Sequence, residues 1–459
     1  MIIRQFFIPG ISHSSYLIGG TGSCLIIDPS RDPDQYLNAA RQEGMKITGI
    51  LETHLHADFI SGHLDIADKT GAPIYMPERA HALFPHIPVH HGSVITIEDM
   101  RIEVRETPGH TPEHISYVLI HQSRSDSPVA VFCGDTLFVG DVGRPDLFPG
   151  RSQELASELF TSLHKELMTL PDYCEVYPAH AAGSFCGRSL GTKRTSTIGY
   201  EKIANPALAI PDRESFVLSL TNDMPPAPDH FHRCTEINQR GPVLLAELPD
   251  LKGLSATEVR LMIESGAVEV VDIRRYDAFG GFHIPASLNI DSEVNFSTNA
   301  GWIVRPDINL ILVGYNPEQV ADAVVMMHRT GIDSISGYLS GGIQDWVQSG
   351  LKTDNVRIIS VHELASLMDN EPELLILDVR EPVEYAGYHI PGSINIPWPD
   401  LRTRHSEIND SGLVVVICGS GVRAGMACSI LKRAGHHNIV NVAGGYTGWI
   451  AAGFNQRLT

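Results

Sequence analysis

Short apolar runs that break off into glycine, proline or polar loops recur along the chain, and several in the first half end on a histidine or an aspartate. Ile47-Thr48-Gly49-Ile50-Leu51 reads as a strand and leads into Thr53-His54-Leu55-His56-Ala57-Asp58-Phe59. Ile102-Glu103-Val104-Arg105-Glu106 alternates with the period of a strand and leads into Thr107-Pro108-Gly109-His110. Val129-Ala130-Val131-Phe132 leads into Cys133-Gly134-Asp135, and Glu175-Val176-Tyr177 into Pro178-Ala179-His180. A rigid sheet delivers polar side chains from its edge in this way.

The second half repeats itself. Val270-Val271-Asp272-Ile273-Arg274 lies in register with Ile376-Leu377-Asp378-Val379-Arg380, and Phe282-His283-Ile284-Pro285 with Tyr388-His389-Ile390-Pro391. Ser340-Gly341-Gly342 with Trp346 matches Ala443-Gly444-Gly445 with Trp449. An offset of about 105 residues is too long for a solenoid unit, so two duplicated domains are predicted. Each mixes apolar runs with amphipathic stretches such as Val361–Met368, the pattern of an α/β domain with a mainly parallel sheet. The predicted domains are 1–245, 254–352 and 357–459, with the proline-rich polar segment Asn222–Gly241 read as a linker or wrap.

The histidines and aspartates at the strand ends form an ordered set. His54 and His56, two apart at a strand end, can point at a common centre, which is how imidazoles are brought onto a first-row metal. Phe59 stands where the full signature has a further histidine, and a benzyl side chain has no lone pair to give, so one metal is expected rather than two. Among 22 histidines, residues such as His81, His86, His121 and His164 lack this context and are read as ordinary surface or core groups.

A second signature lies in the last domain. The β-branched run Val414–Ile417 reads as a buried strand, and Cys418-Gly419-Ser420-Gly421-Val422-Arg423 follows it into a helix. Cys418 thus sits in a glycine-permitted loop at a helix N-terminus, where backbone N–H groups and Arg423 favour a thiolate and would equally favour a persulfide anion. Four residues separate Cys418 from Arg423, one fewer than in the phosphate-sized loop of cysteine phosphatases, so a sulfur atom is the expected cargo. The matching strand of the middle domain, Leu310–Val313, is followed by Gly314 and, further on, Gln319, and neither can replace the nucleophile or the arginine.

These stretches, with Gly143-Arg144-Pro145-Asp146, resemble the metallo-β-lactamase superfamily over about the first 245 residues and, within it, the persulfide dioxygenases. The resemblance implies an αββα sandwich holding one Fe(II) per chain through His54, His110 and Asp135. It places His56, Asp58 and His180 around an emptied second metal position, with His56 a further candidate ligand and His180 at the substrate. It also places Arg144 beside the substrate pocket, where a guanidinium would pair with an anionic group of a thiol carrier. Residues 357–459 resemble the rhodanese sulfurtransferases, and 254–352 an inactive copy of the same α/β fold. The whole chain resembles dioxygenase–rhodanese fusions of sulfide detoxification, which share Gly183-Ser184-Phe185-Cys186-Gly187; Cys186 is expected to be a reachable thiol that takes up sulfane sulfur near the iron. The implied substrates are a low-molecular-weight thiol persulfide, O₂, and sulfite or thiosulfate, and such proteins are often homo-oligomers. The alternative is a thioester hydrolase of the glyoxalase II type, whose hydroxide is generally made between two metals. A flavin-partnered oxygen reductase would need a flavin domain, and a pure sulfur carrier would have no use for the metal set.

Composition narrows the setting. The chain opens on strand-like residues, Met1–Ile8, without the basic and apolar regions of a secretory signal, and no segment reaches the roughly 18 apolar residues of a membrane span. Seven scattered cysteines form no disulfide framework and are expected as reduced thiols, so a cytoplasmic location and no membrane association are expected. A formal net charge of −20 excludes nucleic acid as a partner, since no basic stripe exists to neutralise phosphates.

Overall fold

In the computed structural model, the apolar runs of the first half are strands of two six-stranded sheets. Residues 1–222, 224–371, 374–408 and 412–459 are described, and they form two units, 1–248 with 328–331, and 249–327 with 332–459. The first sheet of the first unit runs Ile2–Ile8, His13–Gly19, Ser23–Ile27, Lys46–Leu51, Ile74–Pro77, Ile87–Val89 in spatial order. The second runs Ser196–Thr197, Glu175–Pro178, Pro128–Gly134, Ile115–His121, Met100–Glu106, Val94–Ile97.

Side-chain alternation explains the layering. Along Met100–Glu106 the residues Met100, Ile102 and Val104 are buried while their neighbours are half-buried. Their inner faces meet Ile18, Leu25, Ile27 and Leu51 of the first sheet in one core. The outer face of the first sheet is covered by Tyr36, Ala39 and Ala40 of the helix Pro33–Gln42. That of the second is covered by Ala156 and Leu159 of Ser152–Thr161 and by Phe216 and Leu220 of Arg213–Thr221. The result is an αββα sandwich.

The second unit holds two five-stranded sheets with one topology. The first is ordered Gly253–Leu254, Ile335–Leu339, Asn309–Val313, Val268–Asp272, Leu288–Asn289, and the second Arg357–Ile359, Ile439–Val442, Val414–Ile417, Leu375–Asp378, Ile394–Asn395. Every pairing in both is parallel. The repeats also share a buried lock. Arg274 Nη2 lies 2.6 Å from Asp272 and Arg380 Nη2 2.7 Å from Asp378. Asn289 and Asn395 each donate to the two carbonyls of the equivalent pair. Among the described residues no helix is long and apolar enough to cross a membrane.

The segment Asn222–Gly241 departs from its reading as a linker; Asp223 within it lies outside the described residues. His230–Arg240 is an α-helix of the first unit that buries His230, Phe231, Cys234 and Asn238. Two of those four are polar, and charged and polar residues dominate the rest of the helix, so its composition reads as a loop. Asn238 Nδ2 donates to the carbonyls of His56 and Phe59, both at 2.8 Å, and its Oδ1 accepts from Ser61 N at 2.9 Å. One side chain therefore fixes the loop that carries the histidines. Asn238→Ala should strand these buried backbone groups and cost about 2–4 kcal/mol, to be read as a lower denaturant midpoint for the first unit.

Candidate metal centre and cysteine loop

Strand ends bring His54, His110, Asp135 and His180 to one place. Gly134, with φ +48°, makes the turn before Asp135; a Cβ there would stand 2.4 Å from His114 Nε2 and 2.6 Å from Thr53 Oγ1. His110 Nε2 is 3.3 Å from Asp135 Oδ2, and His54 Nε2 is 3.9 Å from the same oxygen. All three atoms are buried and have no hydrogen-bond partner.

Hydrogen bonds at the far sides of the rings set the tautomers. His110 Nδ1 lies 2.9 Å from the Arg144 carbonyl and must donate to it, which leaves Nε2 bare. Thr53 Oγ1 donates to Asp28 Oδ2 at 2.9 Å, so it accepts from His54 Nδ1, also at 2.9 Å, and His54 Nε2 is bare as well. Burial lowers both imidazoles and keeps them neutral; for His54 the neighbouring His56 and His114 add to it. Asp135 is ionised: burial opposes this, but His180, His110 and His54 hold its carboxyl well below the usual range. Two neutral nitrogens and a carboxylate oxygen within reach of one point could hold a metal ion.

The other expected residues occupy different roles. His56 faces away from this trio, with Nε2 at 3.3 Å from Asp28 and 3.4 Å from Glu52. Burial alone would lower it, yet the two carboxylates raise it to about 10. With Asp28 and Glu52 it forms a separate buried group that could hold a metal, so His56 is a candidate ligand there rather than beside His54, His110 and Asp135. His180 Nδ1 sits 2.8 Å from Asp135 Oδ1 and its Nε2 2.7 Å from Asp58. Against the pull of burial, those carboxylates raise it well above the ordinary imidazole value. Phe59 fills the remaining space, its ring centroid 4.1 Å from that of His13 and 4.4 Å from that of His56.

Arg144 is not presented to a ligand. It is buried, with Nε and Nη2 both 2.7 Å from the Asp146 carboxylate, Nη1 on the Phe185 carbonyl and Nη2 also on that of Pro225. The partner two residues along consumes the fork that a substrate anion would need. Cys186 likewise departs from expectation. Its thiol is buried with Ala57, Phe138 and Phe231, and burial pushes it up to about 12. It lies beside Asp58 and His180, but it is neither reachable nor thiolate-favouring.

Three features carried no signal in the sequence pattern. His114 accepts from Asp135 N at 2.9 Å and so holds the Asp135 loop. Glu52 binds His56, His63 and the Ser61 hydroxyl. A cavity of about 570 Å³ opens beside the trio, lined by Leu55, Ala57, Thr111, Glu113 and Phe231, with Arg79, Arg151 and the supposedly ordinary His81 at its wall.

In the second unit, the strand Val414–Ile417 ends at Cys418 and the helix Val422–Arg433 begins three residues after Gly419. The Sγ of Cys418 accepts from the N–H of Gly421 at 3.1 Å and of Ala424 at 3.3 Å. These are the inward N–H groups the loop predicts. Arg423 instead makes a two-point pair with Glu384, Nη1 to Oε2 at 2.5 Å and Nη2 to Oε1 at 2.8 Å. Burial would lower the guanidinium, but Glu384 outweighs it and raises it. In the other repeat, Gln319 replaces the arginine, and its amide binds Tyr315 N and Ser292 Oγ; Ala278 stands where Glu384 would be. Both halves of the ion pair are absent together, while the aspartate–arginine lock is kept.

Comparison with known proteins agrees with this architecture. The model of the metallo-beta-lactamase superfamily matches residues 8–180, and that of the rhodanese-like domain matches 255–349 and 360–452. The crystal structure of a metallo-beta-lactamase from Staphylococcus aureus subsp. aureus COL is 36% identical, covering 74% of this chain and 98% of that one, with a TM-score of 0.67. The mitochondrial persulfide dioxygenase ETHE1 of Mus musculus is 28% identical over 243 residues, 52% of this chain and 88% of that protein. A hydroxyacylglutathione hydrolase of Rhodospirillum rubrum is 40% identical over 163 residues, 35% of this chain and 58% of that protein. The chain belongs to the metallo-β-lactamase superfamily and carries two rhodanese-like domains after its metallo-β-lactamase domain.

The Arg423–Glu384 pair yields a test. Arg423→Ala leaves Glu384 facing the loop without a counter-charge and should raise KM for the thiosulfate dianion about tenfold, while Glu384→Ala added to it should recover part of that loss. Steady-state sulfur transfer from thiosulfate to cyanide measures both.

Proposed function

We propose that the first domain, 1–245, is a mononuclear iron(II) persulfide dioxygenase and that 357–459 is an active rhodanese, with 254–352 a copy that has lost its nucleophile. The observation that carries the first part is the convergence of His54 Nε2, His110 Nε2 and Asp135 Oδ2, three buried atoms without partners. Ferrous iron on two imidazoles and a carboxylate would keep open positions and supply the joint activation of a persulfide sulfur and dioxygen. The balanced reaction is RSSH + O₂ + H₂O → RSH + SO₃²⁻ + 2 H⁺.

The chain's own groups do the rest. His180 pins Asp135 Oδ1 and leaves Oδ2 free. The cavity beside Leu55 and Thr111 seats the carrier thiol, with Arg79 and His81 placed for its anionic groups. Phe59 occupies the place of a second metal ligand and keeps water out. In the last domain, the Cys418 thiolate attacks the outer sulfur of the thiol persulfide, Cys–S⁻ + RSSH → Cys–S–S⁻ + RSH, and the persulfide is cradled by the N–H groups of Gly421 and Ala424. Sulfite from the first domain can then accept it: Cys–S–S⁻ + SO₃²⁻ → Cys–S⁻ + S₂O₃²⁻. One chain raises the effective concentration of the shared intermediate. Sulfur carriage is assigned to Cys418, whose Sγ accepts from the N–H groups of Gly421 and Ala424.

The similarity to a hydroxyacylglutathione hydrolase favours a second reading, thioester hydrolysis. A metal count and O₂ electrode separate the two: one iron per chain and persulfide-dependent O₂ uptake are expected, and two zinc ions with lactoylglutathione hydrolysis would reverse the assignment. Asp135→Ala should abolish both iron retention and O₂ uptake while leaving thiosulfate:cyanide transfer within about twofold of wild type, because the two chemistries sit in separate domains.

A further inference from the structure

The repeat without a nucleophile reaches into the Cys418 loop. Tyr276 opens the helix Tyr276–Gly281 of that repeat. A Cβ placed on Gly421 would stand 3.0 Å from both Cζ and Oη of Tyr276, and one on Gly425 would stand 2.5 Å from the Tyr276 Cβ. Gly421, at φ +100°, donates its N–H to Cys418 Sγ, and Gly425 lies in the helix that starts there.

The turn at Gly444 forms the other side of the loop. Tyr446 N donates to the Cys418 carbonyl at 2.8 Å and Thr447 N to that of Gly419 at 2.9 Å. A Cβ on Gly445 would stand 2.0 Å from the Cys418 carbonyl oxygen. Tyr276 thus rests directly on the Gly421 and Gly425 wall of the sulfur site, opposite that turn. By the register that aligns Asp272 with Asp378, its counterpart is Pro382, so the aromatic ring is a property of this repeat and not of the shared frame.

We propose that Tyr276 is a positioning residue for Cys418, so that the nucleophile-free repeat completes the sulfur site and restricts its acceptors to small anions of the size of cyanide or sulfite. The proposal rests on reading Cys418 as the sulfur carrier. Cys418 is fully buried, and an acceptor must reach the terminal sulfur past a loop that the ring holds closed. In the first half-reaction the Cys418 thiolate attacks the outer sulfur of thiosulfate; an S–S bond forms, the bond to the sulfonate sulfur breaks, and the electron pair leaves with sulfite. In the second, the acceptor attacks that terminal sulfur and the electron pair returns to Cys418. No net redox change occurs in the transfer to cyanide, which yields thiocyanate.

The test compares the full chain with its Tyr276→Ala and Tyr276→Phe variants, using thiosulfate as donor and either cyanide or glutathione as acceptor. In Tyr276→Ala, kcat with cyanide should fall about tenfold with KM for thiosulfate little changed, and the glutathione-to-cyanide rate ratio should rise about fivefold. Tyr276→Phe keeps the ring and should restore kcat to within about threefold of wild type. If Tyr276→Ala does not fold, Tyr276→Leu is judged by the same ratio. Wild-type kcat and wild-type acceptor ratio in the alanine or leucine variant would overturn the proposal and leave the ring as packing. Absence of any transfer by the wild-type chain would remove the reading of Cys418 and this proposal with it, whereas normal wild-type turnover with unchanged variants removes only the role of Tyr276.

Discussion

Asp135 carries a negative charge in the interior of the first domain, with one oxygen on the His180 ring and the other facing the bare nitrogens of His54 and His110. Burying such a charge costs several kcal/mol unless it is compensated. His180 is itself shared with Asp58, so this group of three keeps an excess of negative charge with no protein cation assigned to it. A divalent ion between His54, His110 and Asp135 would supply that compensation, and the surrounding hydrogen bonds hold those three side chains still. Thr53 and the Arg144 carbonyl orient the imidazoles, His114 holds the Asp135 backbone, and Asn238 ties down the histidine loop.

Legibility in the sequence followed the range of the interactions. Strand ends with His or Asp were readable because the apolar runs and the loop residues are neighbours in the chain. The duplicated parallel sheets emerged for the same reason, while the αββα sandwich came from the family resemblance those motifs carry, and both are present in the structure. What stayed hidden lies in side-chain direction and in contacts between distant segments. Arg144-Pro145-Asp146 shows an arginine near an aspartate, yet nothing in those letters says that the guanidinium turns onto that carboxylate. Cys186 sits in a glycine-rich stretch that reads as open, but Ala57, Phe138 and Phe231 close over it. The helix His230–Arg240 carries only a short apolar stripe, Phe231, Cys234 and Ile237, in a strongly polar segment that follows several prolines, so its composition masked it.

The duplication offers a comparison that a single domain cannot. Features present in both repeats belong to the frame: the Asp272–Arg274 and Asp378–Arg380 locks, and the asparagines that donate to the carbonyls beside them. Features present in one belong to its chemistry. The pair Arg423–Glu384 exists only beside Cys418, and its absence from the other repeat leaves the same parallel sheet standing. An ion pair whose two members are missing together from a folded sibling is not needed for the fold.

That distinction bears on how Cys418 can be both buried and reactive. A sulfur anion needs stabilisation that does not quench its attack. Fixed N–H dipoles meet this need, since they are already oriented and cost no reorganisation when the charge appears. A guanidinium in direct contact would bind thiosulfate but would also hold the thiolate too tightly in a water-poor loop. Glu384 takes up two of the donors of Arg423 and moderates its field, while Gly421 and Ala424 aim their N–H groups at the sulfur. On the proposed reading of Cys418, the loop would separate two tasks: the backbone N–H groups would steady the charge on sulfur, and the paired arginine would steer the incoming anion.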